Sequence, residues 1–258
     1  MKYKRILTIL LGVTCLLAVT SFAYIQVSSK PTLKLAVGFP KETYKLGESI
    51  SPIFELTNGG DKTITLWDKF GVETGFLHVS ATKDGGNPIG FGNSRWGIGD
   101  SFAKTFIAPN QTIQSTAGIL WYRNPKTENL AFRLTEAGDY YFKISYLAHL
   151  EEGEQTATKL ESEPIKITIE EPKGEDLEVW NKIKDNGNFA YFIQEGDMLI
   201  PGYKPEERAK FQAEVEDILA KYPNSFYATS LRQSLEKYKA TEAKQQEFLE
   251  RIKAQQKP

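Results

Sequence analysis

Two short clusters of aromatic and cationic residues are the parts of this sequence whose side chains could do chemistry. One lies in the glycine-rich segment 85–99, and the other is a tripeptide some twenty residues further on. Aromatic rings and guanidinium groups are enriched at binding hot spots, because they bury much surface and accept or donate specific polar contacts. They therefore indicate recognition of a ligand or partner. The candidate binding residues are Phe91, Arg95, Trp96, Trp121, Tyr122 and Arg123.

The sequence contains none of the common catalytic motifs, such as a nucleophile elbow, a Walker loop or a metalloprotease helix. His78 and His149 lie far apart, and Cys15 is the one cysteine, which excludes an intrachain disulfide and a cysteine-based zinc site. We therefore predict a protein that is not an enzyme, with no catalytic residues, no metal site and no cofactor. A pair of loop carboxylates needs no sequence motif, so an envelope hydrolase stays open as an alternative.

Charge is almost balanced along the chain. Its 258 residues include 32 Lys and Arg against 33 Asp and Glu, for a formal net charge of −1. Nucleic-acid-binding proteins rely on an excess of positive charge that neutralises phosphates. We therefore expect no nucleic-acid partner.

The N-terminus has the three parts of a secretory signal peptide. A basic segment at residues 2–5 is followed by an apolar run, 6–19, and a small-x-small motif at 21–23. We predict a signal peptide over 1–23. The alternative is an uncleaved anchor reaching to about residue 29, because no charge occurs over 6–29, which is long enough to span a bilayer. Both alternatives predict an exported chain, periplasmic or extracellular, that meets the membrane only through its N-terminal segment.

Residues 32–172 show the alternation of apolar and polar residues that is typical of strands with one buried face. Two of the longer predicted strands cover 112–121 and 159–169. Turn residues separate the segments, and no helical period interrupts them. Eight or nine short strands of this kind predict a sandwich of two antiparallel sheets.

Three motifs in this region resemble those of bacterial exported immunoglobulin-like domains. They are Tyr44-x-x-Gly47-Glu48, Asn58-x-Gly60-Asp61 and the run 134–140, which ends in Gly138-Asp139-Tyr140. The resemblance implies an immunoglobulin-like β-sandwich. It also implies that Tyr140 forms a corner in which its hydroxyl bonds to nearby backbone.

Two interpretations are open for each aromatic cluster. The segment 85–99 is either a recognition loop on a rigid sandwich or a plug in which Phe91 and Trp96 fold back into one end. A loop of this kind also leaves open a secreted proteinase inhibitor. Trp121 and Tyr122 are adjacent in a strand, so one should face the core and the other outward. These rings either belong to ordinary sheet packing, as the strand preference of aromatic residues favours, or the outward ring could stack on a sugar ring or a partner protein.

Residues 173–258 are predicted to form a helical C-terminal domain. A short helix places Leu177, Trp180 and Ile183 on one side, and two amphipathic helices joined near residue 223 should pack as a hairpin. The junction at 219–228 resembles that of tetratricopeptide-like repeats, which implies a docking surface. The last 15 or so residues are either a polar helical extension or a frayed end.

Together these patterns predict a mainly β plus α protein: an immunoglobulin-like antiparallel β-sandwich followed by a C-terminal helical hairpin domain. The expected function is a non-enzymatic binding or scaffolding module of the cell envelope, whose partner is an envelope protein or a glycan.

Overall fold

The computed structural model describes residues 32–67, 70–72, 76–91, 104–123, 129–150, 157–198 and 204–255. Within them, strands come first and helices follow. The predicted signal peptide lies outside these residues. Among the described helices, none has both the length and the hydropathy needed to cross a membrane.

The described strands are short, and β11 is the longest of them. In chain order they are β1 (Leu33–Gly38), β2 (Thr43–Lys45), β3 (Ile53–Asn58), β4 (Ile64–Leu66), β5 (Leu77–Lys83), β6 (Ile89–Gly90), β7 (Thr105–Ile107), β8 (Thr112–Thr116), β9 (Trp121–Arg123), β10 (Leu130–Phe132), β11 (Gly138–Ala148), β12 (Thr158–Glu161) and β13 (Ile165–Glu170).

Two main sheets and two ribbons contain these strands. β1, β3 and β8 form one sheet in the order β1-β3-β8. The larger sheet has the order β2-β13-β11-β5-β6, and β12 also pairs with β11. β4 pairs with β7 and β9 with β10. The pairs of described strands are antiparallel except β13 with β2, which is parallel. The predicted fold class, an antiparallel β-sandwich followed by helices, is confirmed.

Alternation decides which side chains enter the core. In β11, Tyr140, Phe142 and Ile144 are buried, while the residues between them are exposed or half-buried. Phe54 and Leu56 supply the buried positions of β3 in the other sheet. Because successive strand side chains point to opposite faces, β3 and β11 contribute every second residue to the core.

The predicted strand 159–169 is two strands, because residues 162–164 lie opposite only two residues of β11. The extra residue makes a β-bulge. Two hydrogen bonds between Ser162 and Ile144 stabilise the bulge. The Ser162 N–H donates to the Ile144 carbonyl oxygen at 2.9 Å, and the Ser162 Oγ accepts from the Ile144 N–H at 3.0 Å. The bulge separates β12 from β13 on the same edge of β11.

Tyr140 forms the predicted corner. Its side chain is 2% exposed, and its hydroxyl donates to the backbone carbonyl of Glu136 at 2.9 Å. The bond fixes the turn that leads into β11. The contact that the immunoglobulin-like resemblance implied is therefore present in the structure.

We expect Tyr140→Phe to lower the free energy of unfolding by about 1 kcal/mol, because the ring stays in place and only one hydrogen bond is lost. Urea denaturation would measure the change. Tyr141→Phe is the matched control, since Tyr141 is the next residue of β11 and its side chain is 43% exposed. Equal losses in the two variants would contradict a structural role for the Tyr140 hydroxyl.

Four helices form the described C-terminal part: α1 (Glu175–Ile183), α2 (Gly187–Glu195), α3 (Pro205–Lys221) and α4 (Phe226–Gln255). α3 and α4 are the two predicted amphipathic helices, joined by residues 222–225. α2 contains the compact apolar group around Phe189 and Phe192, which the sequence analysis did not assign to a helix. α4 stays helical to Gln255, so its end is a polar helical extension.

α1 docks on the sandwich through Trp180. The Trp180 ring centroid lies 5.0 Å from that of Phe132 and 6.1 Å from that of Tyr227, on which it stacks. A Cβ at Gly47 would lie 2.6 Å from the Trp180 ring, and the Gly47 φ of +70° is left-handed. Glycine is therefore required at this turn for both space and conformation. Leu177, predicted on the buried side, is 40% exposed instead, and Val179 takes its place in the core.

Asp176 connects α1, α4 and the sandwich. Its carboxylate pairs with the Lys45 ammonium at 2.6 Å and accepts from Ser225 Oγ at 3.0 Å and the Phe226 N–H at 2.7 Å. Burial alone would raise the pKa of this carboxyl, but these hydrogen bonds outweigh it and hold the pKa below its usual value. Beside it, the Tyr227 hydroxyl donates to the Leu46 carbonyl. Buried side chains of sandwich and helices form one continuous cluster.

Candidate functional site

The structure places the six predicted binding residues in different surroundings. Arg95 and Trp96 lie outside the described residues, together with the rest of 92–103. The others do not form one surface. Phe91 lies in the core, Trp121 faces the helices, and Tyr122 packs against an arginine that sequence analysis did not single out. Arg123 is exposed at the end of β9.

Phe91 is a core residue. Its side chain is 3% exposed, and its ring centroid lies 5.5 Å from that of Phe142. Its N–H donates to the Val79 carbonyl at 2.7 Å, which holds the chain against β5 just after β6. For Phe91, this is the plug alternative: the ring adds to the sandwich interior and is not presented to a partner.

Trp121 belongs to the contact between the sandwich and the helices. Its ring lies 5.1 Å from the Tyr191 ring, and its indole N–H donates to Glu195 Oε1 at 3.2 Å. Just before it, the Leu120 N–H donates to Gln194 Oε1 at 2.8 Å. These bonds to α2 explain why the predicted strand 112–121 is broken: after β8 the chain turns to meet α2 and resumes as β9.

Tyr122 lies against Arg133. The guanidinium carbon of Arg133 is 4.3 Å from the centroid of the Tyr122 ring and 5.5 Å from that of Phe91. β9 pairs with β10, and the Arg133 N–H donates to the Leu120 carbonyl at 2.8 Å, so the backbone fixes this arginine beside β9. Such short distances to two ring faces are typical of cation–π contacts.

The Arg133 guanidinium is half-buried, and its charge has no compensating carboxylate among the described residues. Burial lowers its pKa to about 10, which leaves it fully protonated at neutral pH. Its Nε is cut off from solvent and has no hydrogen-bond partner, and within the described residues no carboxylate pairs with it. The sequence contains one indication of this arginine's position. Arg133 lies between the core residues Phe132 and Leu134, so a cation stands within an otherwise apolar run.

A second feature is an exposed aromatic face on the β4–β7 ribbon, formed by Thr65, Trp67, Lys104 and Phe106. Thr65 lies opposite Phe106 in the register, and the Lys104 ammonium lies 5.2 Å from the Trp67 ring centroid. Trp67 is 45% exposed and Phe106 is 61% exposed. No sequence motif marked this face, because alternation in three-residue strands is too short to recognise.

Three other polar side chains, those of His78, His149 and Glu161, lie outside these features, and the His149 Nε2 is buried without a hydrogen-bond partner among the described residues. His78 is exposed, and the His149 ring packs 4.6 Å from the Phe76 ring. Glu161 is bound to Lys143 and Lys159, which lower the pKa of its carboxyl. In the part of the chain that the structure describes, no three His, Cys, Asp or Glu side chains are grouped so as to hold a metal ion.

Comparison with known proteins adds similarity of fold alone. Neither a protein-family model nor a curated protein matches the sequence. Among solved structures, the CARDB domain of a Pyrococcus furiosus protein, in complex with di-metal ions, is 13% identical over 57% of this chain and 98% of that domain, with a TM-score of 0.29.

Two β-glucosidases are similar to the same extent. The enzyme from Erythrobacter marinus is 13% identical over 54% of this chain, with a TM-score of 0.29. The enzyme from Listeria innocua is 11% identical over 55%, with a TM-score of 0.28. The matched region spans 16% of the length of each β-glucosidase. At these TM-scores the similarities carry no argument about what this chain binds or does.

Proposed function

We propose that this chain is a non-enzymatic exported protein of the cell envelope that acts as a binding or scaffolding module through its β-sandwich. The observation that carries the proposal is the exposed aromatic face of the β4–β7 ribbon. Export is inferred from the signal-like segment 1–23. The partner that binds this aromatic face is a glycan or a protein of the envelope.

The aromatic face is held rigidly from behind. On the inner side of the ribbon, Ile64, Leu66 and Ile107 are buried in the core. The Trp67 N–H donates to the His149 carbonyl at 3.1 Å, which ties the end of β4 to the end of β11. A binding surface on a rigid element loses little conformational entropy when its partner arrives.

The chemistry of the face suits recognition. Trp67 and Phe106 are diagonal neighbours across an antiparallel pair, a spacing at which large rings can present one apolar surface. Leaving this surface in water costs free energy, which a sugar ring or an apolar partner side chain would recover by covering it. Tryptophan is also the residue type most enriched at hot spots of protein interfaces.

The test is quantitative co-sedimentation of the purified protein with a cell-envelope preparation. We expect the double variant Trp67→Ala/Phe106→Ala to bind roughly tenfold more weakly or worse, since a hot-spot side chain contributes about 2 kcal/mol. Tyr141→Ala is the matched control, because it removes a ring of similar exposure from β11 of the larger sheet, away from the β4–β7 ribbon. Equal binding by the two variants would refute the aromatic face as the site.

Two further parts of the proposal have their own tests. Hydrolytic turnover by the purified protein would overturn the non-enzymatic assignment.

The α3–α4 hairpin, whose junction resembles tetratricopeptide-like repeats, is proposed as a secondary docking surface. If envelope binding survives loss of the aromatic face, substitution of Phe248 and Leu249, which are exposed near the end of α4, would test that surface.

A further inference from the structure

The guanidinium of Arg133 lies over two aromatic rings, with its terminal nitrogens in contact with solvent and without a carboxylate partner among the described residues. We propose that Arg133 is the binding site for a small oxyanion, namely the carboxylate or phosphate group of a ligand. This site is separate from the aromatic face of the β4–β7 ribbon and shares none of its residues.

The geometry of the site is preorganised. The Tyr122 ring lies 4.3 Å from the guanidinium carbon, and the Phe91 ring lies 5.5 Å from it. Phe91 is buried and packs on Phe142, so it cannot move aside. The backbone bond from Arg133 to Leu120 fixes the base of the side chain. An arginine held in this way loses little rotamer freedom when a ligand binds.

The charge of the site is unbalanced. Taking a cation partly out of water costs free energy, and proteins normally offset that cost with a paired carboxylate. Among the described residues Arg133 has no such pair, and its described neighbours include the Tyr122 and Phe91 rings. A bound oxyanion would supply the missing negative charge.

The atoms of the guanidinium that remain open match an oxyanion. Nε is buried without a partner, whereas the terminal nitrogens make no hydrogen bond to described residues and keep contact with solvent. The fork of terminal N–H groups fits two oxygens of one carboxylate or phosphate, and such charge-assisted pairs are among the strongest polar contacts in proteins. The apolar walls lower the local dielectric constant and strengthen the attraction further.

The test is a titration of the purified protein, labelled with ¹⁵N-arginine, at neutral pH. Sodium phosphate in one series and sodium acetate in another replace sodium chloride at constant ionic strength. We expect a saturable shift of the Arg133 Nε–H resonance, which Arg133→Met would identify by its disappearance. Saturation with phosphate alone would assign a phosphate site, and saturation with acetate as well would assign a general oxyanion site.

Arg208 is the internal control. Its Nε is also buried without a partner, but among the described contacts no aromatic ring lies against its guanidinium. We expect its resonance to stay unshifted. Arg133→Lys keeps the charge but loses the planar fork, so isothermal titration calorimetry should show that it binds the same anion at least tenfold more weakly than the unaltered protein. If Arg133→Met fails to fold, the titration of the unaltered protein still decides. A linear shift shared by all arginines would overturn the proposal.

Discussion

Replacing Gly187 by alanine should destabilise the protein by about 3 kcal/mol, because overpacking of a rigid contact costs this much when the neighbours cannot move. Gly187 is the first residue of α2 and is buried. An added Cβ would overlap the carbonyl group of Leu130 in β10. The obstructing atoms belong to the backbone of a paired strand, so no side-chain rotation can relieve the overlap, and α2 must move away from β10.

The sign of this effect is as informative as its size. In a helix without such a contact, alanine is favoured over glycine by about 1 kcal/mol. Gly38→Ala in β1 is the control, since nothing lies within 4 Å of a Cβ built there. Chemical denaturation should show a large loss for Gly187→Ala and little change for Gly38→Ala. A gain in stability at Gly187 would show that α2 does not lie against β10.

Trp180→Ala should be the second severe substitution, at about 3–5 kcal/mol, the usual cost of removing a buried large aromatic side chain. The Trp180 ring fills the space between Phe132 of β10, Tyr227 of α4 and the turn at Gly47. Three parts of the chain therefore lose packing at once. The cavity is bounded by backbone and by other aromatic rings, which limits its collapse.

Leu177→Ala is the control for this prediction, because Leu177 lies on the same helix one turn earlier and is exposed. A surface substitution of this kind usually changes stability by less than about 0.5 kcal/mol. Guanidinium denaturation, monitored by far-ultraviolet circular dichroism, would compare the two variants. Similar losses would mean that α1 as a whole, and not the Trp180 contact, determines the stability of this region.

Local sequence was sufficient to predict those parts of the fold that depend on local pattern. Alternation predicted that residues 32–172 form strands, and the motif ending in Tyr140 implied a hydroxyl-to-backbone corner through its resemblance to immunoglobulin-like domains. The amphipathic pattern of the C-terminal region predicted the two helices α3 and α4. In each case the deciding interaction lies within one element or between residues close in sequence, so a short window of sequence contains the cause.

The parts that sequence did not predict depend on contacts between distant residues. Leu177 was placed on the buried side of α1 by spacing, but it is exposed, and α1 meets the sandwich where the Trp180 ring packs against the distant turn at Gly47. Trp121 was expected to pack in the sheet or face solvent, and it contacts α2 instead. Arg133 approaches Tyr122 and Phe91 only after β9 and β10 pair, so no local pattern could identify that cluster.

The hydrogen bonds of Asp176 make the start of α4, the longest described helix, dependent on the rest of the chain. The first amide of α4, at Phe226, is satisfied by a carboxylate from another helix, and Lys45 of the sandwich holds that carboxylate in place. The negative charge of the Asp176 carboxylate at this position also interacts favourably with the positive, N-terminal end of the α4 dipole. The sandwich and the helices should therefore unfold in one cooperative transition. A fragment that contains only one of them would lack contacts that stabilise its fold.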